Sequence, residues 1–261
     1  MAFDLERFTD TSEPLRWDDL DMTVFRDQPL DPQTLRTVRY MCDVEYHTTC
    51  FLRDLLVTPS HREEESAGFM TTWNREEFWH GEALAAVLAA HGIVVDYDEV
   101  KAKRLGLGWQ LALSSMKQSA LANLVGQDFV AVHMTWGVAN ELSATAGYRR
   151  LAEMTDSPTL AALVTRIAQQ ETRHVAFYTT QARARLETSE KARKLVRLLL
   201  SKAWRPVGSG IMEEDEVRHV FGHLFGGMQH DVDKLDQRMQ RIPGLEGLTI
   251  FDQAFRRLAI A

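Results

Sequence analysis

The sequence predicts an all-α fold, a four-helix bundle built from two helical hairpins with extra helices at its C-terminal end. Apolar residues recur at spacings of three and four, the period of an α-helix, through four long segments. The alternation of apolar and polar residues that marks a half-buried strand is not sustained anywhere in the sequence. The four segments also pair up, because one arrangement of glutamate and histidine occurs twice along the chain.

The composition is that of an ordinary globular protein. The 261 residues are 45% hydrophobic and 26% charged, and they are enough for a substantial core. A net charge of −7 argues against non-specific binding to nucleic acid. No apolar run approaches the roughly 20 residues of a membrane span, and residues 1–7 lack the features of a secretory signal. We therefore expect a cytoplasmic protein.

Residues 1–32 are rich in proline and aspartate, but they also contain apolar residues that a disordered tail would lack: Phe3, Phe8, Leu15, Trp17, Leu20 and Phe25. We predict an arm packed along the bundle, with a partner-binding arm as the alternative. Cys42 and Cys50 lie about 12 Å apart by helix rise, too far for a disulfide between them. Both are expected to be small buried side chains in a reducing cytoplasm.

The bundle is predicted to occupy residues 33–205 and to begin with a helix over 33–56. Ser60 and Glu63 have the spacing of a capping box, which would start the second helix. That helix is predicted to continue to Ala90, where a histidine and a glycine provide a stop signal. These two helices form the first hairpin.

The second hairpin follows a stretch over 96–122 that is predicted to be helix crossing from one hairpin to the other. Its helices are predicted at 127–154 and 158–187, because an Asp-Ser-Pro sequence supplies a cap and a first-turn proline. Ser189 would cap a fifth helix over 190–204. Glycines then separate short helical patterns, so a helical appendage of the same domain is predicted over 206–261.

Two pairs of metal-ligating residue types lie inside the apolar helix faces. Glu77 and His80 are three residues apart, so both project from one face of the second helix. Glu171 and His174 repeat that spacing on the fourth helix. A buried carboxylate and imidazole are costly unless something pairs with them, and a metal ion is the strongest candidate.

Each pair is preceded by a helix with a single glutamate in its apolar face. Glu45 lies 32 residues before Glu77, and Glu141 lies 30 residues before Glu171. Four carboxylates and two imidazoles on four facing helices are the ligand set of a di-iron or di-manganese bundle. The alternative is two unrelated helix faces with salt bridges, but it must explain why all six of these residues fall within apolar helix faces.

The six predicted ligands divide into one set for each ion: Glu45, Glu77 and His80, and Glu141, Glu171 and His174. Such carboxylate-rich sets suit two iron ions, with manganese as the alternative, whereas the absence of thiolate disfavours zinc. With O2 as co-substrate, a pair of ferrous ions would yield an oxidant able to attack a C–H bond or an amine.

These motifs resemble those of the soluble acyl-acyl-carrier-protein desaturases, a ferritin-like di-iron family. The family motif Glu-Glu-Asn-Arg-His-Gly, after a tryptophan, is similar to Trp73 and residues 76–81 here, and the motif Asp-Glu-Lys-Arg-His to residues 170–174. The likeness covers about residues 35–205. It implies that Glu77 and Glu171 bridge the ions. It also implies oxygen-dependent removal of two hydrogens from an acyl chain, with electrons from a ferredoxin.

The sequence departs from the family motifs at three positions. Gln170 stands where the family has an aspartate that orients a ligand histidine. Trp79 replaces an arginine, and Ala144 replaces a threonine near the oxygen-binding face. The metal ligands survive these changes, whereas the reaction is left open.

Several residues beside the ligands are candidates for supporting roles. Glu76 points about 100° away from Glu77 and is expected to be a helix-surface charge, with a contact to a ligand as the alternative. Arg173 is expected to be an ion-pair partner within the bundle. Core packing is expected for three aromatic residues, with a pocket or channel wall as the alternative: Trp73, Tyr148 and Tyr178. Two histidines lie off the ligand faces and are expected to be ordinary: His47 and His133.

A basic segment follows the second hairpin. Between residues 183 and 205, eight positive charges face two negative ones, and this excess would attract an acidic carrier protein. The candidate docking residues are Arg193, Lys194, Arg197 and Lys202. A solvated helix face is the alternative.

These observations favour a di-iron, oxygen-activating oxidoreductase that acts on an acyl or other apolar substrate. Desaturation of a carrier-bound acyl chain by a homodimer is the sharpest version. The alternatives are a di-iron N-oxygenase or hydroxylase of a biosynthetic pathway, an iron-storage or ferroxidase protein, and a metal-free scaffold. A storage protein would form a large shell with iron mineral, whereas a desaturase-like enzyme would form at most a dimer.

Overall fold

The structure is a computed structural model that describes residues 3–98, 102, 122–258 and 260. In these ranges the regular structure is helical, apart from one isolated bridge between Ser209 and Met212. Across the same ranges, no helix is long and apolar enough to cross a membrane. Most of the helix predicted for 96–122 lies outside the described residues.

The chain divides into two compact units. The first, called here the N-terminal unit, comprises Asp4–Gly126 and Ala152–Ile167. The second, the C-terminal unit, comprises Met1–Phe3, Gln127–Leu151 and Ala168–Ala261.

The N-terminal unit contains the first hairpin. Its described elements are α1 (Leu5–Asp10), α2 (Val24–Asp27), α3 (Pro32–Leu55), a 3-10 helix (Pro59–Arg62) and α4 (Glu64–Ala90). The start of α3 is fixed by Asp31, whose carboxylate accepts hydrogen bonds from the backbone N–H groups of Gln33 and Thr34 at 2.9 and 3.1 Å. Helices α3 and α4 pack along each other, so the first predicted hairpin is present.

The start of α4 differs from the prediction. Ser60 lies in the 3-10 helix and Glu63 is the residue that precedes α4, so the predicted capping box is wrong. The 3-10 turn, which begins at Pro59, moves the first helical residue on to Glu64. Glu63 instead accepts a hydrogen bond from the Ser66 hydroxyl at 3.1 Å.

The end of α4 agrees with the prediction. Gly92 has a φ of 75°, a conformation that glycine adopts without steric cost. The N–H groups of Gly92 and Ile93 donate to the carbonyl oxygens of Ala89 and Leu88, each at 2.9 Å. These bonds satisfy carbonyl groups that the end of a helix would otherwise leave open.

Part of the N-terminal segment packs on the first hairpin. Phe8 lies against Phe69, with ring centroids 5.2 Å apart, and Phe25 lies 4.9 Å from the ring of His91. Both phenylalanines are buried. Phe8 and Phe25 therefore form part of the core of the N-terminal unit.

The remaining helices are α5 (Gln127–Met154), α6 (Pro158–Thr188), α7 (Glu190–Ala203), α8 (Glu214–Phe225), α9 (Gln229–Gln240) and α10 (Ile250–Arg257). The bounds of α5, α6 and α7 match the predicted ones within a residue. Ser189 caps α7 as predicted, because its hydroxyl accepts a hydrogen bond from the N–H of Ala192 at 3.1 Å. Helix α6 belongs to the C-terminal unit from Ala168 onward.

The C-terminal helices are tied to α5 by a buried tryptophan. Trp204 donates from Nε1 to Oδ1 of Asn140 at 3.2 Å, and its ring lies 4.9 Å from that of Phe251 on α10. Asp236 on α9 accepts hydrogen bonds at 3.0 Å from the N–H groups of Phe251 and Asp252. The carboxylate of Asp236 thereby holds the first turn of α10.

Candidate metal centre

The first hairpin brings three of the predicted ligands together in the N-terminal unit. Glu45 lies on α3, and Glu77 and His80 lie on α4, with exposed fractions of only 4%, 5% and 0%. Each residue offers one ligand atom, and these atoms lie within 4.8 Å of one another. Nδ1 of His80 is 3.7 Å from Oε2 of Glu45. These three residues are called the first half-site.

A glycine brings α3 and α4 close together beside the first half-site. The ring of Tyr46 lies so near Gly81 that a Cβ on this glycine would be 2.7 Å from two ring carbons. The thiol of Cys42 donates to the carbonyl oxygen of Gly81 at 3.4 Å. Tyr46 and Gly81 each adjoin a predicted ligand in the sequence, so this contact fixes the two backbones that carry Glu45 and His80.

The second half-site lies in the C-terminal unit and consists of Glu141 on α5 with Glu171 and His174 on α6. All three are buried, and their ligand atoms also lie within 4.8 Å of one another. Nδ1 of His174 is 3.1 Å from Oε2 of Glu171 and 3.9 Å from Oε2 of Glu141. The structure therefore places the six predicted ligands as two sets of the same composition.

The second half-site has its own glycine contact. Gly137 lies one turn before Glu141 on α5, and the ring of Tyr178 on α6 rests against it without room for a Cβ. Tyr178 lies one turn after His174. The sequence pattern does not indicate the pairing of Gly137 with Tyr178 or of Gly81 with Tyr46, although Gly81 belongs to the first motif.

The donor set of each half-site fits a hard transition-metal ion. Two carboxylates and one imidazole are buried together, which is unfavourable for carboxylates facing each other unless a cation offsets their charge. Carboxylate oxygen and imidazole nitrogen suit iron and manganese. The nearby thiol does not add a zinc-type ligand, because burial raises the pKa of Cys42 and keeps it protonated.

One supporting residue differs from the preferred interpretation. Glu76 is fully buried, so its interpretation as a helix-surface charge is wrong. The reason is that Glu76, although about 100° from Glu77, is four residues before His80 and only about 40° from it around the helix. It therefore lies on the broad buried side of α4 that also contains Phe69. Half-buried positions are occupied by Ala144, Gln170 and Arg173.

The aromatic residues beside the ligands are buried. Trp73, Tyr148 and Tyr178 expose 3% or less of their surface, which is what packing in the core requires. His133 lies 5.9 Å from the ring of Tyr178, and burial lowers its pKa to about 3, so this histidine is neutral at physiological pH. Nδ1 of His47 lies 2.6 Å from the carbonyl oxygen of Asp43. Neither histidine belongs to a half-site.

Two of the four candidate docking residues donate hydrogen bonds to backbone carbonyl groups outside their own helix. Arg193 donates to the carbonyl oxygen of Leu186 at 2.6 Å. Arg197 donates to the carbonyl oxygens of Gly244 and Glu246 at 3.1 and 3.0 Å. These two arginines thus stabilise the C-terminal unit. Lys194 and Lys202 are exposed, and Lys194 pairs with Glu190 on the same helix.

Comparison with solved structures identifies the fold. A protein of Mycobacterium tuberculosis H37Rv, DesA2, provisionally described as an acyl-ACP desaturase, matches with a TM-score of 0.59 at 18% identity over 96% of this chain and 93% of its own. An R2-like ligand-binding oxidase, a single-residue variant with an aerobically reconstituted Mn/Fe cofactor, matches with a TM-score of 0.55 at 15% identity. This match covers 98% of this chain and 89% of the oxidase chain. No family model and no curated protein matches the sequence.

The likeness of both solved structures to this chain extends over nearly its whole length. The fold is therefore the all-α, ferritin-like fold that the sequence predicts. At these identities the likeness concerns the fold. The function has to be argued from the residues of the two half-sites.

Proposed function

We propose that the two half-sites together bind two metal ions and that the protein is a non-haem di-iron, oxygen-activating oxidoreductase. The observation that carries this proposal is the repetition of one buried set, Glu with Glu-x-x-His, in each hairpin. Glu45, Glu77 and His80 would hold one ion and Glu141, Glu171 and His174 the other, and the desaturase resemblance implies that Glu77 and Glu171 would be shared between the two. Iron is the proposed metal, with manganese as the alternative.

When bound, such a metal pair passes electrons to O2 and supplies an oxidant for an unactivated C–H bond or an amine. The chain contributes the environment of that chemistry. Four carboxylates offset the charge of two divalent ions, and two imidazoles complete the ligand set. Buried aromatic residues near the ligands, among them Trp73, Tyr148 and Tyr178, keep water away from the oxidised site.

The sharpest version of the proposal is desaturation of an acyl chain held on an acyl carrier protein. It is supported by the motifs around Glu77 and Glu171 and by the described function of the matching mycobacterial protein. A ferredoxin would supply electrons, and the enzyme would be a homodimer. Cys42 and Cys50 are both thiols, not members of a disulfide, which is in keeping with a reducing cytoplasm.

A second version keeps the metal pair and changes the reaction to hydroxylation or N-oxygenation. The departures from the desaturase motifs favour it, since Gln170 and Ala144 stand where that family has an aspartate and a threonine. A neutral amide in place of a carboxylate would alter the basicity of the neighbouring ligand histidine. The mass of the product distinguishes these versions, because desaturation removes two hydrogens and the other reactions add oxygen.

The experiment is metal reconstitution followed by oxygen exposure. Protein loaded anaerobically with ferrous iron is expected to bind two ions per chain and to change its absorption when O2 is admitted. Glu77→Ala and Glu171→Ala should each lose this metal, whereas Glu190→Ala, at an exposed position on α7, should keep it. Loaded protein is then supplied with acyl-carrier thioesters, free fatty acids and amines, and the masses of the products are measured by mass spectrometry.

Two outcomes would contradict the proposal. A chain that remains free of transition metal after reconstitution is not a di-iron enzyme. A chain that assembles into a large shell and accumulates iron mineral is a storage or ferroxidase protein instead.

A further inference from the structure

Three aromatic rings form a cluster in the N-terminal unit that the proposed metal chemistry has not used. The ring centroids of Tyr46 and Phe78 are 5.2 Å apart, and each lies 5.7 Å from the centroid of Tyr97. The three rings thus touch one another pairwise, and they are called the aromatic triad. Such edge-to-face and tilted contacts bring their π systems together.

The aromatic triad lies against the backbone of the first half-site. Tyr46 follows Glu45 on α3, and Phe78 follows Glu77 on α4. The ring of Tyr46 rests on Gly81, the residue after the ligand His80. Tyr46 is buried, whereas Phe78 and Tyr97 are half-buried. The triad therefore leads from the ligand-bearing backbone toward the surface of the N-terminal unit.

A fourth aromatic residue, Trp79, lies beside the triad under a positive charge. The guanidinium of Arg75 is 5.2 Å from the centroid of the Trp79 ring and 5.8 Å from that of Phe78. Removing an electron from an indole leaves a positive charge on it, which the adjacent guanidinium disfavours. Tyr97 can release its phenol proton to solvent when it loses an electron, so no positive charge remains on its ring. The surroundings thus favour oxidation of Tyr97 over oxidation of Trp79.

We propose that Tyr97 is a one-electron donor to the metal centre, connected to it through the ring contacts of Tyr46 and Phe78. This inference rests on the proposed function. In the step, Tyr97 gives one electron to the oxidised centre, which is thereby reduced by one electron, and the phenol proton passes to solvent. A low-molecular-weight thiol returns one electron and one proton to the phenoxyl, and two thiols oxidised in this way become one disulfide. The route protects the buried ligands when O2 has reacted and no substrate is bound.

The test is electron paramagnetic resonance on iron-loaded protein that is frozen shortly after exposure to O2 without substrate. The wild type should show a tyrosyl radical, and Tyr97→Phe should lose at least nine-tenths of that signal. Phenylalanine keeps the ring contacts of Tyr97 and removes only the phenol. Trp79→Phe, beside the triad, and Tyr40→Phe, at a buried tyrosine on α3, should keep the signal.

Metal content and the oxygen-induced absorption change are measured on the same samples. Wild-type protein that binds its iron, reacts with O2 and forms no tyrosyl radical overturns the role of Tyr97 and leaves the metal centre intact. A radical that persists in Tyr97→Phe also overturns it. Protein that binds no iron contradicts the proposed function, and the role of Tyr97 falls with it. Digestion and mass spectrometry after repeated oxygen exposure should find oxidised side chains near the ligands sooner in Tyr97→Phe than in the wild type.

Discussion

The ring of Tyr46 rests on Gly81, so that a Cβ at this glycine would fall 2.7 Å from two of the ring carbons. Tyr178 and Gly137 repeat the relationship in the second hairpin. Each glycine lies within one helical turn of a predicted metal ligand on its own helix. The separation of the paired helices at each half-site is therefore set by an aromatic ring against a bare backbone.

Gly81→Ala is expected to disturb the first half-site. The added methyl group overlaps the ring of Tyr46, and overpacking of this kind costs about 1–3 kcal/mol of unfolding free energy. Shifted helices should also lower the metal content. Chemical denaturation and metal analysis of the same preparation check both effects.

Gly222→Ala is the matched control for that substitution. Gly222 lies in α8 and has no atom within 4 Å of an added Cβ. Alanine is the better helix former, so the unfolding free energy of this variant should rise by about 0.5–1 kcal/mol. A Gly81→Ala protein as stable as the wild type would show that the close contact does not set the helix spacing.

Glu77→Gln separates a metal site from a buried ion-pair network. Without metal, the change removes one of several buried carboxylate charges, so the metal-free variant should be at least as stable as the wild type. With metal, the unfolding free energy of the wild type should rise by about 2.7 kcal/mol when the free metal concentration is one hundred times the dissociation constant. The variant should gain far less. Thermal unfolding with chelator and with ferrous iron measures both, and destabilisation of the variant in chelator alone would favour the ion-pair interpretation.

Asp236 gives a prediction about pH. Burial raises its pKa to about 6, against two backbone N–H groups that favour the charged form. Between pH 3.8 and about 6 the folded protein then binds more protons at this residue than the unfolded chain does. Its contribution to the unfolding free energy is therefore complete at low pH and is lost as the pH rises through 6. The stability deficit of Asp236→Asn should be larger at pH 4.5 than at pH 7.5. Chemical denaturation at both pH values checks this difference, and a larger deficit at pH 7.5 would contradict a raised pKa for Asp236.

Substitutions of Arg197 and Lys202 are expected to distinguish a residue that stabilises the fold from one that docks a partner in the basic segment. Arg197→Gln loses hydrogen bonds to the carbonyl oxygens of Gly244 and Glu246 and should lower the unfolding free energy by about 0.5–1.5 kcal/mol. Lys202→Gln, at an exposed position, should change it by less than about 0.5 kcal/mol. Calorimetric titration with an acidic acyl carrier protein at low salt should show weaker binding for Lys202→Gln. Unchanged binding would leave α7 as a solvated face.

The fold was predictable from the sequence because local signals and helical periodicity agree in this chain. A proline after Asp31 and a serine before α7 mark helix starts, and the stripes of apolar residues mark the buried faces. The ligands were predictable for a related reason. A charged residue inside an apolar stripe needs a partner, and the same Glu-x-x-His pair occurs in both hairpins.

Other features depend on tertiary contacts that periodicity does not contain. Glu76 lies at the edge of the buried side of α4, one turn before His80, so its burial depends on how widely neighbouring elements cover that helix. The partners of Gly81 and Gly137 are tyrosines on the neighbouring helix, and a glycine in a helix does not reveal which ring rests on it. The role of Arg197 depends on a turn that begins 47 residues later in the chain, which local spacing cannot connect to it.

Mössbauer spectroscopy of oxidised protein loaded with enriched iron tests most directly the proposal that Glu77 and Glu171 belong to one dinuclear centre. A dinuclear centre should give one pair of magnetically coupled ferric ions with a diamagnetic ground state, and the coupled signal should be lost in Glu77→Ala and Glu171→Ala alike. Isolated paramagnetic ferric ions, each removed by only one of the two substitutions, would show that the half-sites bind metal separately and would contradict a dinuclear centre.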